Sequence, residues 1–507
     1  MNPYEDTWLF VLGLIFAFTS AYGIGANDFA NSFSSSVSSQ SITLFHAAII
    51  GLFTEFLGAI LLGSGTVTTI RGDIIDLKNF DGHPQLLMLG MVCALFGASA
   101  WVIFATSRGW PVSTTHSIVG AIVGIGMVSF GPASIEWKKG IGRMAISWFL
   151  SPIAAGLVAA TIYTTTKYLV LTRSNSFERG LAAIPIYFGI TTLINTFYIL
   201  YNGFPDLNGL STGVIWGVTI AFSILVSLFC LFFVVPWMQR KLEYCEDLAW
   251  YHVFVIMFLP RKRRMETLSL GASPRESYGH NAETGLIAPG EAGEKSDIFE
   301  AFKGVIFNGV QKEMNFLTDE DLQKIHELAI RYDNNTEYMY NILQVITACM
   351  ASFAHGSNDV ANASGPLSTV YYIWSTAGVD IGNVTPVPLW ILAIGGIAID
   401  IGLFTYGYKV MRSLGNQLTY HSPSRGFSIE LGSCLTVLTC SKIGAPISTT
   451  QCVTGATAAV GLCNNNIGSL NWKLIGWCFF SWMLTVPCSA LITVCIFVPM
   501  KVGIFKF

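Results

Sequence analysis

The chain has 507 residues, of which 52% are hydrophobic, 13% aromatic and only 12% charged, with a formal net charge of −3. A charged share about half that of an ordinary globular chain excludes a soluble all-α protein and gives no reason to expect a nucleic-acid partner. What remains is a protein built to sit in a membrane.

The N-terminus carries Glu5 and Asp6, has no basic residue before Arg71, and runs straight into an apolar stretch long enough to span. No cleaved signal peptide is therefore expected, and the first span stays. A hydrocarbon core roughly 30 Å thick takes about 20 helical residues to cross. The plainest candidates are 8–27, 44–64, 86–106, 145–166 and 211–235, then 389–408 and 472–499. Between the two groups lies a polar segment, 237–340, holding 12 of the 28 Lys and Arg and 17 of the 31 Asp and Glu. It includes the basic run Arg261-Lys262-Arg263-Arg264 and a Gly/Ala/Glu-rich stretch at 285–293. It reads as a loop, partly disordered, cytosolic by the positive-inside rule, with the basic run as a juxtamembrane anchor and binding of anionic lipid headgroups as the alternative. The expected organisation is a first transmembrane half at 1–236, this loop at 237–340, and a second transmembrane half at 341–507. The fold class is all-α, a polytopic bundle of about 12 segments. The 11 cysteines are scattered through apolar runs without a C-x-x-C pair and read as small packing residues, not as metal ligands.

The halves resemble each other. Gly25-Ala26-Asn27-Asp28-Phe29-Ala30-Asn31-Ser32 recurs as Gly356-Ser357-Asn358-Asp359-Val360-Ala361-Asn362-Ala363, offset by 331 residues. Pro111-Val112-Ser113-Thr114-Thr115-His116 recurs as Pro446-Ile447-Ser448-Thr449-Thr450-Gln451, offset by 335 and in the same order. Duplication explains this better than chance. With a cytosolic central loop and an odd number of crossings in each half, the two repeats have inverted topology, the plan of many secondary transporters.

Only 14 acidic residues lie outside the central segment, and five of them, Asp28, Glu55, Asp359, Asp400 and Glu430, fall within or beside apolar runs. A carboxylate at mid-membrane costs at least about 2.5 kcal/mol, so it persists when it is paired, hydrated or bound to a cation. Asn27 with Asn31, and Asn358 with Asn362, put amide oxygens on one helix face beside each aspartate. Hard oxygen ligands of this kind suit a small alkali cation, and Gly23, Gly25 and Gly356 would let the helix open and add backbone carbonyls. The plain structural reading, amides bonding helix to helix, leaves a buried acid in each half unexplained.

The segments Ser113-Thr114-Thr115 and Ser448-Thr449-Thr450 each follow a proline and precede an apolar run, as at the N-terminus of a half-helix that starts inside the membrane. Two such ends with free N–H groups and hydroxyls would enclose an oxyanion. An anion brought beside two aspartates needs co-bound cations in a low dielectric, so symport is the natural outcome. Glu55, Asp400 and Glu430 are further candidates for cation or proton coupling, with Glu55 and Asp400 loosely placed as repeat partners. Nothing in these residues separates phosphate from sulfate.

The duplicated signatures resemble those of the inorganic phosphate transporter family, the sodium-dependent phosphate symporters. So do Gly426-Phe427-Ser428-Ile429-Glu430-Leu431 and Trp148-Phe149-Leu150-Ser151-Pro152. The resemblance covers both hydrophobic halves, and the long central segment is like that of eukaryotic members. It implies import of inorganic phosphate with sodium as co-substrate, no other cofactor and no enzymatic activity. It implies phosphate at Asn27, Asp28, Ser113, Thr114, Thr115, Asp359, Ser448, Thr449 and Thr450. Sodium falls to Asn27, Asp28, Asn31, Asn358, Asp359 and Asn362, with Glu55 and Glu430 needed for transport. Some relatives carry glutamate where this chain has Met91, so any role for an acid there is absent or moved. The resemblance also implies a multi-pass protein of the plasma membrane with lipid around it, and a homodimer is an admissible assembly.

Four other readings compete. Proton-coupled relatives exist, and a different oxyanion carrier would show similar half-helices. An intramembrane aspartyl protease would also bury two aspartates, but its Gly-x-Gly-Asp sequence is absent. A phosphate sensor that does not transport would look the same in sequence. Two formal glycosylation sequons remain: Asn383-Val384-Thr385, in a loop between spans and expected to face outside, and Asn362-Ala363-Ser364, expected unmodified inside the site.

Overall fold

The computed structural model describes residues 2–72, 74–202, 211–260, 320–382, 385–415, 417–442 and 447–503. The basic run at 261–264, the stretch at 285–293, Pro446 and the sequon asparagine Asn383 lie outside these residues. The described residues form helices and no strand, with one isolated bridge between Ile75 and Ile135.

In chain order the first half gives α1 (Thr7–Ser38), α2 (Leu44–Gly72), α3 (Pro84–Ser107), α4 (Thr114–Phe130), α5 (Arg143–Thr166), α6 (Ser176–Asn202), α7 (Thr212–Phe229) and α8 (Val235–Leu242). A π turn at Lys167–Leu171 extends α5, and another at Cys230–Val234 joins α7 to α8. After the central segment come α9 (Glu320–Glu327), α10 (Asn334–Asp359), α11 (Ala361–Thr376), α12 (Leu389–Tyr406), α13 (Tyr408–Leu414), α14 (Pro423–Lys442), α15 (Thr449–Leu462) and α16 (Trp472–Gly503). Among the described residues, eight helices are long and apolar enough to cross a membrane. Seven match the plainest apolar runs. The eighth, Ser176–Tyr201, is less hydropathic and carries Glu178 and Arg179 in its first turn. The helix ending the first half runs to Leu242, past 236, and α10 begins at Asn334, before 341.

Packing repeats with the sequence. α1 lies against α12 while α10 lies against α2, and α1 packs on α3 as α10 packs on α14. α4 packs on α16, and α15 on α5. Each of these pairs except α1 with α3 and α10 with α14 joins the first half to the second. The largest buried apolar cluster accordingly mixes Leu9, Ile24 and Leu89 with Val360, Leu392 and Phe497.

The glycines in the two signatures serve this packing. A methyl on Gly25 would strike the carbonyl of Ile399, and one on Gly356 would strike that of Glu55. They are points of close helix approach; the expected role as hinges for opening the helix is not what the geometry gives. α1 runs unbroken through Gly23, Gly25 and Asp28, and only the second copy is interrupted, at Val360 between α10 and α11. The same contacts align Glu55 with Ile399, one position away from Asp400.

Candidate transport site

The two hydroxyl-rich segments do start helices inside the bundle. Ser113 caps α4 by accepting from the His116 amide at 3.2 Å, and Ser448 caps α15 by accepting from the Gln451 amide at 3.3 Å. Such caps satisfy one of the orphan N–H groups of a first turn. Pro111 stands two residues before its cap, outside the first turn, where it ends the linker from α3.

The caps aim the next two residues of each helix at the signatures. Asp28 Oδ2 accepts from Thr114 at 2.7 Å, and Asp28 Oδ1 accepts from Thr450 at 3.2 Å. Asp359 Oδ2 accepts from Thr449 at 3.0 Å, and Asp359 Oδ1 accepts from Thr115 at 3.4 Å. Each aspartate is thus reached by one threonine from its own half and one from the other. The asparagines cross over completely, each bonding both threonines of the opposite half. Asn31 Nδ2 donates to Thr449 and Thr450 (3.2 and 2.9 Å), and Asn362 Nδ2 donates to Thr114 and Thr115 (3.4 and 3.2 Å). All eight side chains are buried. The pattern is what an exchange of the two repeats about one centre would give.

The remaining amides differ in use. Asn27 donates to Thr106 Oγ1 and the Trp110 carbonyl at 2.8 and 3.0 Å, and accepts from the Val112 amide at 3.1 Å. It braces the linker between α3 and α4. Asn358 donates to Asp359 Oδ1 at 3.0 Å and accepts from Ser441 Oγ at 2.9 Å. Asn31 Oδ1, by contrast, is buried without a partner beside Asp28, a vacant acceptor suited to a cation.

One central residue was not singled out in the sequence. His355 is buried, with Nε2 3.0 Å from Asp359 Oδ2 and 3.8 Å from Asp28 Oδ2, and Nδ1 3.2 Å from Glu55 Oε1. Asp28, His355 and Asp359 offer ligand atoms within 4.8 Å of one another, close enough to hold one cation. The available signal was its place one helical turn before Asp359; the first repeat has Ile24 there, so no repeat pointed to it.

The three further acids are not gathered alike. Glu55 joins the centre through His355 and faces Ser352 at 3.4 Å. Glu430 sits apart in its own hydroxyl cage, accepting from Ser35, Ser36 and Thr347 at 2.6–2.7 Å and from Gln344 at 3.3 Å. Asp400 is buried on α12 with Oδ1 unpartnered and does not reach the aspartate pair.

Comparison with known proteins agrees with this architecture. The phosphate transporter family (PHO4) matches residues 24–493. The chain is 35% identical to the phosphate-repressible phosphate permease pho-4 of Neurospora crassa, covering 98% of both chains. It is 33% identical to a putative phosphate permease of Haemophilus influenzae over 97% of this chain and 96% of the other. Identity to sodium-dependent phosphate transporter 1 of Rattus norvegicus is 28%, over 98% of this chain and 96% of the other. A solved structure described as the sodium-dependent phosphate transporter superposes with a TM-score of 0.72 at 28% identity, over 98% of this chain and all of that one. With eight apolar helices long enough to span and a family match over most of its length, the chain is an integral membrane protein that belongs to the phosphate transporter family.

Proposed function

We propose that the chain imports inorganic phosphate by sodium-coupled symport, with alternating access about the threonine and aspartate centre. The observation that carries this is the crossed pairing: Asp28 and Asp359 each bind hydroxyls from the half-helices of both halves. Phosphate would replace an aspartate as the partner of these hydroxyls and of the free N–H groups at the starts of α4 and α15. Sodium would take the released carboxylates, the vacant Asn31 oxygen and the amides of Asn358 and Asn362. The two anions and the incoming phosphate repel strongly in a water-poor site, so neither loads well without the cation. The relatives named for sodium-dependent transport support the choice of ion. In this reading the repeats are inverted, the segment at 237–340 is cytosolic, and the chain resides in the plasma membrane.

The test is labelled phosphate uptake into proteoliposomes under an imposed sodium or proton gradient, with excess sulfate. Wild type should concentrate phosphate under the sodium gradient without inhibition by sulfate, and Asp28→Asn and Asp359→Asn should each lower uptake at least about 100-fold. Sulfate inhibition would reassign the substrate, and sodium-gradient uptake that survives both substitutions would remove the site.

His355 favours a second reading, in which a proton enters the cycle. An imidazole against Asp28, Asp359 and Glu55 can bring a positive charge to the same acids. If so, His355→Gln flattens the pH dependence of uptake while sodium dependence persists; an unchanged pH profile confines His355 to packing.

A further inference from the structure

A second polar cluster lies at one end of the bundle, where the last turn of α5, the first turns of α10 and α14 and the turn after α15 meet. Arg425, in the first turn of α14, is 1% exposed. Its Nη2 donates to the Ile330 carbonyl at 2.7 Å and to Asn464 Oδ1 at 2.6 Å, which occupies both hydrogens of that nitrogen. Nε and Nη1 carry three more N–H bonds and have no partner. Lys167, also buried, donates to the Cys463 carbonyl at 2.6 Å, so both cations converge on the Cys463 and Asn464 turn.

The acid nearby does not balance them. Glu337 accepts from Ser422 Oγ, Ser424 Oγ and the Ser424 amide at 2.9–3.0 Å, and among the described residues neither Lys167 nor Arg425 forms an ion pair. Two buried cations against one buried acid leave a positive charge uncompensated, an arrangement that is costly unless an anion joins it. The rings of Tyr163 and Tyr420 lie 5.7 and 5.3 Å from the guanidinium carbon and cover its face. They do not serve N–H bonds that lie in its plane. Asn464 Nδ2 is buried without a partner as well, and the buried hydroxyls of Tyr163 and Tyr332 face each other, so that one hydroxyl hydrogen of the pair stays free. Every vacant atom named here can donate. A planar fork with an amide and a hydroxyl pair nearby fits an anion with several oxygens better than a halide.

We propose that Arg425, Asn464, Tyr163 and Tyr332, with the charge of Lys167, form a second anion site that takes one phosphate group, free or as a lipid headgroup. The site is separate from the transport centre. Ser441, which bonds Asn358, is 16 residues further along α14 than Arg425, about 24 Å at 1.5 Å per residue. It uses no sodium, so it stands or falls independently of the coupling reading. Occupancy would tie α5, α14, α15 and the chain before α10 together at that end.

The experiment is equilibrium binding of radiolabelled inorganic phosphate to the purified full chain in sodium-free buffer. Wild type and Asp359→Asn should each bind one phosphate, while Tyr163→Phe and Asn464→Ala should each weaken it about tenfold, the scale of one charge-assisted hydrogen bond. These two changes keep the buried cations and most of the packing; Arg425→Gln, which can fail to fold, is read only beside them. Nanodiscs with phosphatidic acid separate the sources. Displacement of the label and retention of the lipid in native mass spectra assign the site to a headgroup, and label that remains assigns it to free phosphate. No sodium-free binding and no retained lipid in wild type overturns the site, as does binding lost in Asp359→Asn and untouched in Tyr163→Phe and Asn464→Ala.

Discussion

Two asparagines that look alike in sequence do different work. Asn27 uses three hydrogen bonds to hold Thr106, Trp110 and Val112, and so fixes where α4 begins. Asn31 bonds only threonine hydroxyls and keeps a buried oxygen vacant. Truncating Asn27 leaves buried groups unsatisfied at about 1–3 kcal/mol each. Asn27→Ala should therefore lower the thermal midpoint by several degrees and reduce uptake through loss of folded protein. Asn31→Ala should melt near wild type yet raise the sodium concentration needed for half-maximal uptake about tenfold. Melting followed by size-exclusion fluorescence, with sodium titrations of uptake, separates the two, and equal melting losses would remove the distinction. The signatures were legible because Asn-Asp-x-x-Asn is unusual in an apolar run and occurs twice. His355 was not, because one histidine before a signature has no repeat partner to mark it.

Helix by helix, apolar length was a good guide where the buried face is itself apolar, as in α3, or where the helix is exposed at the rim, and a poor one where the buried face is polar. α16 exposes Trp472, Phe480 and Leu491 and reads as a span at once. α10 carries Gln344, Thr347, Ser352 and His355, all buried against other helices, and fails a hydropathy test although it is 26 residues long. The signature glycines were misread for a related reason: sequence marks a glycine but not whether a backbone passes beside it. At Gly25 and Gly356 one does. Alanine at either position should force α1 from α12, or α10 from α2, at about 1–3 kcal/mol of overpacking. Gly476, with nothing within 4 Å of an added methyl, is the control. Gly476→Ala should keep or slightly raise the melting midpoint, while Gly25→Ala and Gly356→Ala lower it by several degrees; a wild-type midpoint in both would show that the helices can shift apart freely.

At the scale of the whole chain, the halves of the sequence are not halves of the packing. The recurrence of two short motifs was visible, but the exchange of partners was not, because an offset in sequence carries no information about which copy a helix packs against. α1 rests on α12 and α10 on α2, and Phe29 and Phe33 share a buried cluster with Ala348 and Leu403. Neither half can close its own apolar surface, so neither should fold alone, and the joining segment is not needed to hold them together once folded. A protease site placed at residue 285 tests this. After cleavage the two fragments should co-elute at the position of the intact chain, melt within a few degrees of it and still support uptake. The fragment 1–260 expressed by itself should aggregate, since the faces that α12, α15 and α16 cover would be exposed. Fragments that separate on cleavage, or a monodisperse first half, would mean that the contacts between the copies, the crossed threonine bonds included, contribute little and that the joining segment is what keeps the halves together.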